Sequence, residues 1–151
     1  MEIEFDPKKT SYSKLLELFW ENHDPTRCAS RQYMSAIFYH SSEQKRLAEE
    51  SRDKRQKQLS QKIVTRITAA ETFYNAEGYH QKYLLRQQRD VLKALNLTDE
   101  ELITSHVAAR LNGYCGGYGS AGEFEKELPS FNLPTHIQDR VQNIVARGSM
   151  H

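Results

Sequence analysis

The stretch Gln32 to His40 limits the fold more than any other part of the chain: it is short, rich in aromatic residues, and carries apolar groups on both faces. Such a segment reads as a central strand rather than an edge, covered above and below. Helical spacing precedes it. Tyr12, Leu15, Leu16 and Phe19 recur on one face, Trp20 extends that face, and Thr10 or Ser11 is available as N-cap. The helix should stop near His23-Asp24-Pro25, because the residue before a proline avoids the α region. After the strand, Ser41 and Gln44 have the spacing of a capping box. From Glu43 to Lys62 the charges are mixed and only Leu47, Ala48 and Leu59 are clearly apolar. Interspersed acidic residues favour a solvated helix face over a nucleic-acid surface.

Further extended segments are predicted at Glu2 to Phe5, Ile63 to Ile67 and Thr72-Phe73-Tyr74. Short helices are expected at His80 to Gln88 and Asp90 to Leu95. A second capping box, Thr98-Asp99-Glu100-Glu101, opens a helix running to about Leu111. Asn112 to Gly122 holds five glycines and reads as loop. The last element, near Thr135 to Ala146, places Ile137, Val141, Ile144 and Val145 on one face. This order predicts an α+β fold: a mainly antiparallel sheet with helices packed on it, and a helical C-terminal tail. The domain expected is 1–122, with 123–151 an extension carrying one amphipathic helix.

Composition narrows the function classes. The chain has 151 residues, 38% hydrophobic and 27% charged, with 21 basic residues against 20 acidic ones. A net charge of +1 is far from the basic surplus that holds nucleic acid by charge alone, so no nucleic-acid partner is expected. No apolar run approaches the roughly 20 residues needed to span a bilayer, and the first residues lack the basic and apolar regions of a secretory signal. Two cysteines make no disulfide framework, which suits a reducing, cytoplasmic location.

Chemistry could sit at four residues. Cys28 lies between Arg27 and Arg31, whose charge would favour a thiolate, yet an unreactive loop thiol fits the spacing better. Cys115, in Asn112-Gly113-Tyr114-Cys115-Gly116-Gly117, has flanking glycines that would let a thiol swing toward another sulfur; a turn with an incidental cysteine fits equally. No Lys-Ser/Thr follows these glycines, so they are not a phosphate loop. His80 could act as base or metal ligand but has no second ligand at a recognised spacing, and a structural histidine is the plainer reading. Tyr33 could hydrogen-bond a polarised substrate oxygen, or pack in the core.

Four segments in order resemble the peptide methionine sulfoxide reductase A family: Phe19-Trp20-Glu21-Asn22-His23-Asp24-Pro25-Thr26, Gln32-Tyr33-Met34-Ser35-Ala36-Ile37-Phe38-Tyr39, Thr72 to Leu84, and Asn112-Gly113-Tyr114-Cys115-Gly116. The resemblance runs from Glu2 to about Gly119. It implies the family's two-layer, ferredoxin-like core and thiol-dependent reduction of methionine S-sulfoxide in oxidised proteins or as the free amino acid. No bound cofactor is implied; thioredoxin or another dithiol acts as reductant. Carried over residue by residue, Tyr33 is the hydrogen-bond donor to the sulfoxide oxygen and Cys115 the resolving thiol, while Cys28 aligns with neither catalytic motif.

The family's Gly-Cys-Phe-Trp-Gly nucleophile motif and Gly-His-Ala-Glu proton-donor motif do not occur in these 151 residues, nor does the Arg-Gln-Gly-Asn-Asp loop between Thr26 and Gln32. The chain is therefore expected to correspond to the C-terminal portion of such an enzyme. Besides the oxidoreductase reading, two others remain open: a non-catalytic, truncated isoform serving as a binding or interaction module, and a different thiol-redox protein using Cys28 with Cys115.

Overall fold

The computed structural model describes residues 1–148; the last three residues of the expected extension 123–151 lie outside the described residues. The chain divides into two compact units, 1–74 and 75–151.

The first unit opens with α1 (Tyr12–Glu21), capped by Ser11, whose hydroxyl accepts from the Lys14 amide. A single 3₁₀ turn, Arg31–Tyr33, leads into β1 (Ala36–Tyr39). Then come α2 (Ser42–Gln56) and β2 (Arg66–Ala69). Ser41 caps α2 by accepting from Gln44 N–H. Gln44 does not close the expected box; its side-chain oxygen accepts from His40 N–H instead. Solvent-facing pairs Arg46–Glu50, Arg46–Glu43 and Lys45–Glu49 line α2, and Ala48 is its buried residue, so the mixed-charge run is a solvated helix face.

β1 and β2 are parallel, with Ala36 beside Arg66 and Tyr39 beside Ala69. The antiparallel sandwich expected from the sequence is therefore not what forms. Strand, helix, strand is a crossover connection: the chain returns along α2 before the second strand starts, which makes the pair parallel. Among the described residues no strand forms at Glu2–Phe5 or Thr72–Tyr74. β1 is consequently not a central strand of a larger sheet. Ile37 and Ile67 face the core made by Leu16, Trp20, Ala48 and Ile63, whereas Phe38 on the opposite face is 57% exposed.

The second unit is helical: α3 (Tyr83–Arg86), α4 (Arg89–Leu95), α5 (Asp99–Thr104), α6 (His106–Cys115), α7 (Ala121–Phe131) and α8 (Thr135–Gly148). The capping box at Thr98 and Glu101 forms as read, but Ser105 ends α5 and caps α6. The glycine-rich segment is loop only after Cys115. Ala108, Leu111 and Tyr114 are buried at helical spacing, and their burial outweighs the roughly 1 kcal/mol that Gly113 costs within a helix. α7 has no counterpart in the sequence reading. Ser120 and Glu123 form a full capping box at its start, and it runs through Pro129 to end at Asn132 in the left-handed conformation. The core joins Tyr114, Phe124 and Phe131 to Leu85, Val91, Leu111, Ile137 and Val141. Tyr114 stands edge-on to Phe124 with ring centroids 5.1 Å apart. At its rim Arg110 grips Glu127 through two hydrogen bonds of 2.8 and 2.6 Å, and these hold the Glu127 carboxyl below the usual range.

Candidate active site

In the first unit, the C-terminal end of α1 and the segment entering β1 enclose an open cavity of about 700 Å³. Its wall includes His23, Arg27, Cys28, Tyr33 and Ser35. Tyr33 is 67% exposed, since the 3₁₀ turn leaves it at the surface instead of folding it into a core. Cys28 is also exposed. Asp24 starts the segment with an Asx-type turn: its Oδ1 accepts from the Thr26 amide at 2.9 Å and the Thr26 hydroxyl at 2.7 Å. These bonds, the hydroxyl's foremost, lower the pKa of its carboxyl.

His23 was not singled out by the sequence for chemistry, yet its ring is fully engaged. Nδ1 lies 2.6 Å from the Phe19 carbonyl oxygen and Nε2 lies 2.7 Å from Ser35 Oγ, which in turn is 2.8 Å from Thr65 Oγ1. A carbonyl oxygen only accepts, so Nδ1 carries the proton. In the neutral ring Nε2 then accepts from the Ser35 hydroxyl. The signal available in the sequence was Thr65: a polar residue between Ile63 and Ile67 on the apolar side of an alternating segment, here buried.

Cys115 belongs to the second unit, as the last residue of α6, half-buried against the helical core. Desolvation, with a smaller contribution from the charge of Asp90, pushes its thiol up to about 11. The glycines beyond it serve tight turns and close packing. Gly116 caps the helix, and Gly117, at φ +81°, is so close to α8 that a Cβ on Gly148 would sit 2.7 Å from the Gly117 Cα. Here glycine permits backbone approach. Tyr33 and Cys115 are thus in different units, each in its own surroundings. His80 is exposed in a turn beside Tyr79, ring centroids 4.3 Å apart. Among the described residues no three His, Cys, Asp or Glu side chains are grouped to hold a metal, and no helix is long and apolar enough to cross a membrane. A cleft of about 340 Å³ lies between α1 and α2; on its wall Trp20 Nε1 donates to Ser51 Oγ at 2.9 Å, while the buried Arg55 Nε has no hydrogen-bond partner.

The family model for peptide methionine sulfoxide reductase matches residues 1–111. The chain belongs to that family. A second model, for the helical domain of selenoprotein methionine sulfoxide reductase A, matches residues 96–146. Over 142 residues the chain is 43% identical to the peptide methionine sulfoxide reductase of Drosophila melanogaster, covering 91% of this chain and 58% of that relative. It is 35% identical over 156 residues to peptide methionine sulfoxide reductase A5 of Arabidopsis thaliana, covering 98% of this chain and again 58% of the relative. With the protein of Methanococcus maripaludis it shares 48% over 96 residues, 60% of this chain. The chain therefore spans somewhat over half the length of these three relatives. Within this family member, Tyr33 falls in the reductase match, whereas Cys115 lies beyond residue 111, in the helical-domain match.

Proposed function

We propose that the chain takes part in thiol-dependent reduction of methionine S-sulfoxide, in oxidised proteins or as the free amino acid, and that Tyr33 donates a hydrogen bond to the sulfoxide oxygen. The observation that carries this reading is 43% identity across 91% of the chain with a peptide methionine sulfoxide reductase. The exposed phenol over an open cavity supports the role of Tyr33. In the reaction a cysteine thiolate attacks the sulfoxide sulfur, the protonated oxygen is transferred to the cysteine as a sulfenic acid, and methionine leaves. A second thiol then displaces water from the sulfenic acid, and thioredoxin or a small dithiol reduces the disulfide by exchange. Cys115 is the resolving thiol in this reading. A neutral, half-buried thiol is a poor nucleophile, so greater exposure of Cys115 would speed its attack.

The Gly-Cys-Phe-Trp-Gly nucleophile is not within these residues, so the chain alone should convert no S-sulfoxide peptide above a dithiothreitol blank. Supplying a segment that carries that motif should restore methionine formation, with a sharp loss on Tyr33→Phe. Absence of turnover in the supplemented chain overturns the reading. Turnover by the unsupplemented chain, abolished by Cys28→Ser, would replace it with a different thiol chemistry.

A further inference from the structure

The cavity wall in the first unit is mostly one loop, residues 24–34, which includes Asp24, Arg27, Cys28 and Tyr33. Its two ends are joined by a side chain. His23, immediately before the loop, bonds Ser35, immediately after it, and the Ser35 hydroxyl meets Thr65 just ahead of β2. The far nitrogen of the same ring is fixed to the Phe19 carbonyl in the last turns of α1. The ring also packs on Phe19, with centroids 4.4 Å apart. One imidazole therefore ties α1, the entry to β1 and the entry to β2, and closes the base of the loop.

Within the loop, restraint is concentrated at the ends. Asp24 binds Thr26, and Thr26 Oγ1 reaches Gln61 at 3.0 Å. At the other end Tyr33 N–H donates to Ser30 O, forming the turn that presents the phenol. A loop pinned at its base samples fewer conformations, so less freedom is lost when a ligand orders it.

We propose that His23 is a positioning residue: in its Nδ1–H form it staples the 24–34 loop through Ser35 and so holds the Tyr33 phenol in place for a sulfoxide oxygen. This rests on the reading of Tyr33 given above. The staple needs an acceptor at Nε2, a hydroxyl at 35 and a hydroxyl at 65. Replacing Ser35 by Ala removes the middle link and leaves the apolar core of the unit untouched.

The test uses the full chain, labelled with ¹⁵N-histidine and ring ¹³C-tyrosine, with N-acetyl-methionine S-sulfoxide amide as probe. In the wild type, His23 should show a protonated Nδ1 and an acceptor Nε2, and the Tyr33 ring signals should shift saturably with probe. Ser35→Ala should weaken that binding by up to about tenfold, the scale of one lost hydrogen bond, and speed amide exchange across 27–33. Thr65→Ser, which keeps the hydroxyl, should behave as wild type. If Ser35→Ala does not fold, His23→Gln takes its place. Unchanged loop exchange together with unchanged probe affinity in Ser35→Ala overturns the staple while leaving the role of Tyr33 standing. A Tyr33→Phe chain that binds the probe as tightly as wild type overturns that role, and the exchange rates then still judge the staple by themselves.

Discussion

The thiol of Cys115 keeps its proton up to about pH 11, because half-burial at the end of α6 removes the water a thiolate needs and Asp90 opposes a second negative charge. In the unfolded chain the same thiol titrates near 9.0. Between these values the folded chain holds a proton that the unfolded chain has lost. The contribution is therefore complete below pH 9 and declines as pH rises through about 11. Partial exposure screens it to on the order of 1 kcal/mol. Urea unfolding at pH 8 and pH 10.5 should show a steeper decline in the wild type than in Cys115→Ser, the remainder coming from the buried Tyr12 and Tyr114 phenols. Iodoacetamide at pH 8 should modify exposed Cys28 first, with Cys115 at least about tenfold slower by peptide mass. Equal rates would mean that α6 opens its last turn freely.

Among the elements, α7 shows what its cap is worth. The Ser120 hydroxyl accepts from Glu123 N–H, and the Glu123 carboxylate accepts from Ser120 N–H and is held below the usual range by doing so. Pro129 removes one backbone donor from the same helix, so the start of α7 carries much of its local stability. Ser120→Ala should cost about 1 kcal/mol in equilibrium unfolding, and an unchanged midpoint would show that packing of Phe124 and Phe131 alone suffices. The Ser-x-x-Glu signature of this box is present in the sequence, as at Thr98, yet it does not by itself identify α7. Gly122, Pro129 and the neighbouring glycines obscured it, because local propensity there argues for loop while the helix is secured by distant contacts. The same held for Leu111 and Tyr114, whose burial carries α6 through Gly113. Helices α1 and α8 are legible from spacing because their apolar faces are local patterns, and α2 from Ser41 and its mixed charge; the cap of α1 stays open in the sequence between Thr10 and Ser11. The parallel pairing of the strands and the His23–Ser35–Thr65 chain are not legible, since each joins residues distant in sequence.

For the molecule, burial in the second unit is concentrated in an aromatic cluster: Tyr114, Phe124 and Phe131, with centroid separations of 5.1, 6.0 and 6.3 Å. Phe124 is fully buried at its centre. Phe124→Ala should cost about 3–5 kcal/mol, read as loss of the helical signal of residues 75–148 at lower denaturant. A cost below about 1 kcal/mol would mean that the core collapses readily around the vacancy. The first unit has a smaller core and depends on a different device. Its two strands run the same way, with Ala36 and Arg66 paired although thirty residues apart. Neither strand can pair with its neighbour until the intervening chain has doubled back, and the entropy of closing that span is offset only as the strands and α2 pack on their shared core. The pace at which this half of the protein matures is then set by the search that brings the two strands together, not by α2, since a lone helix relaxes within about a microsecond.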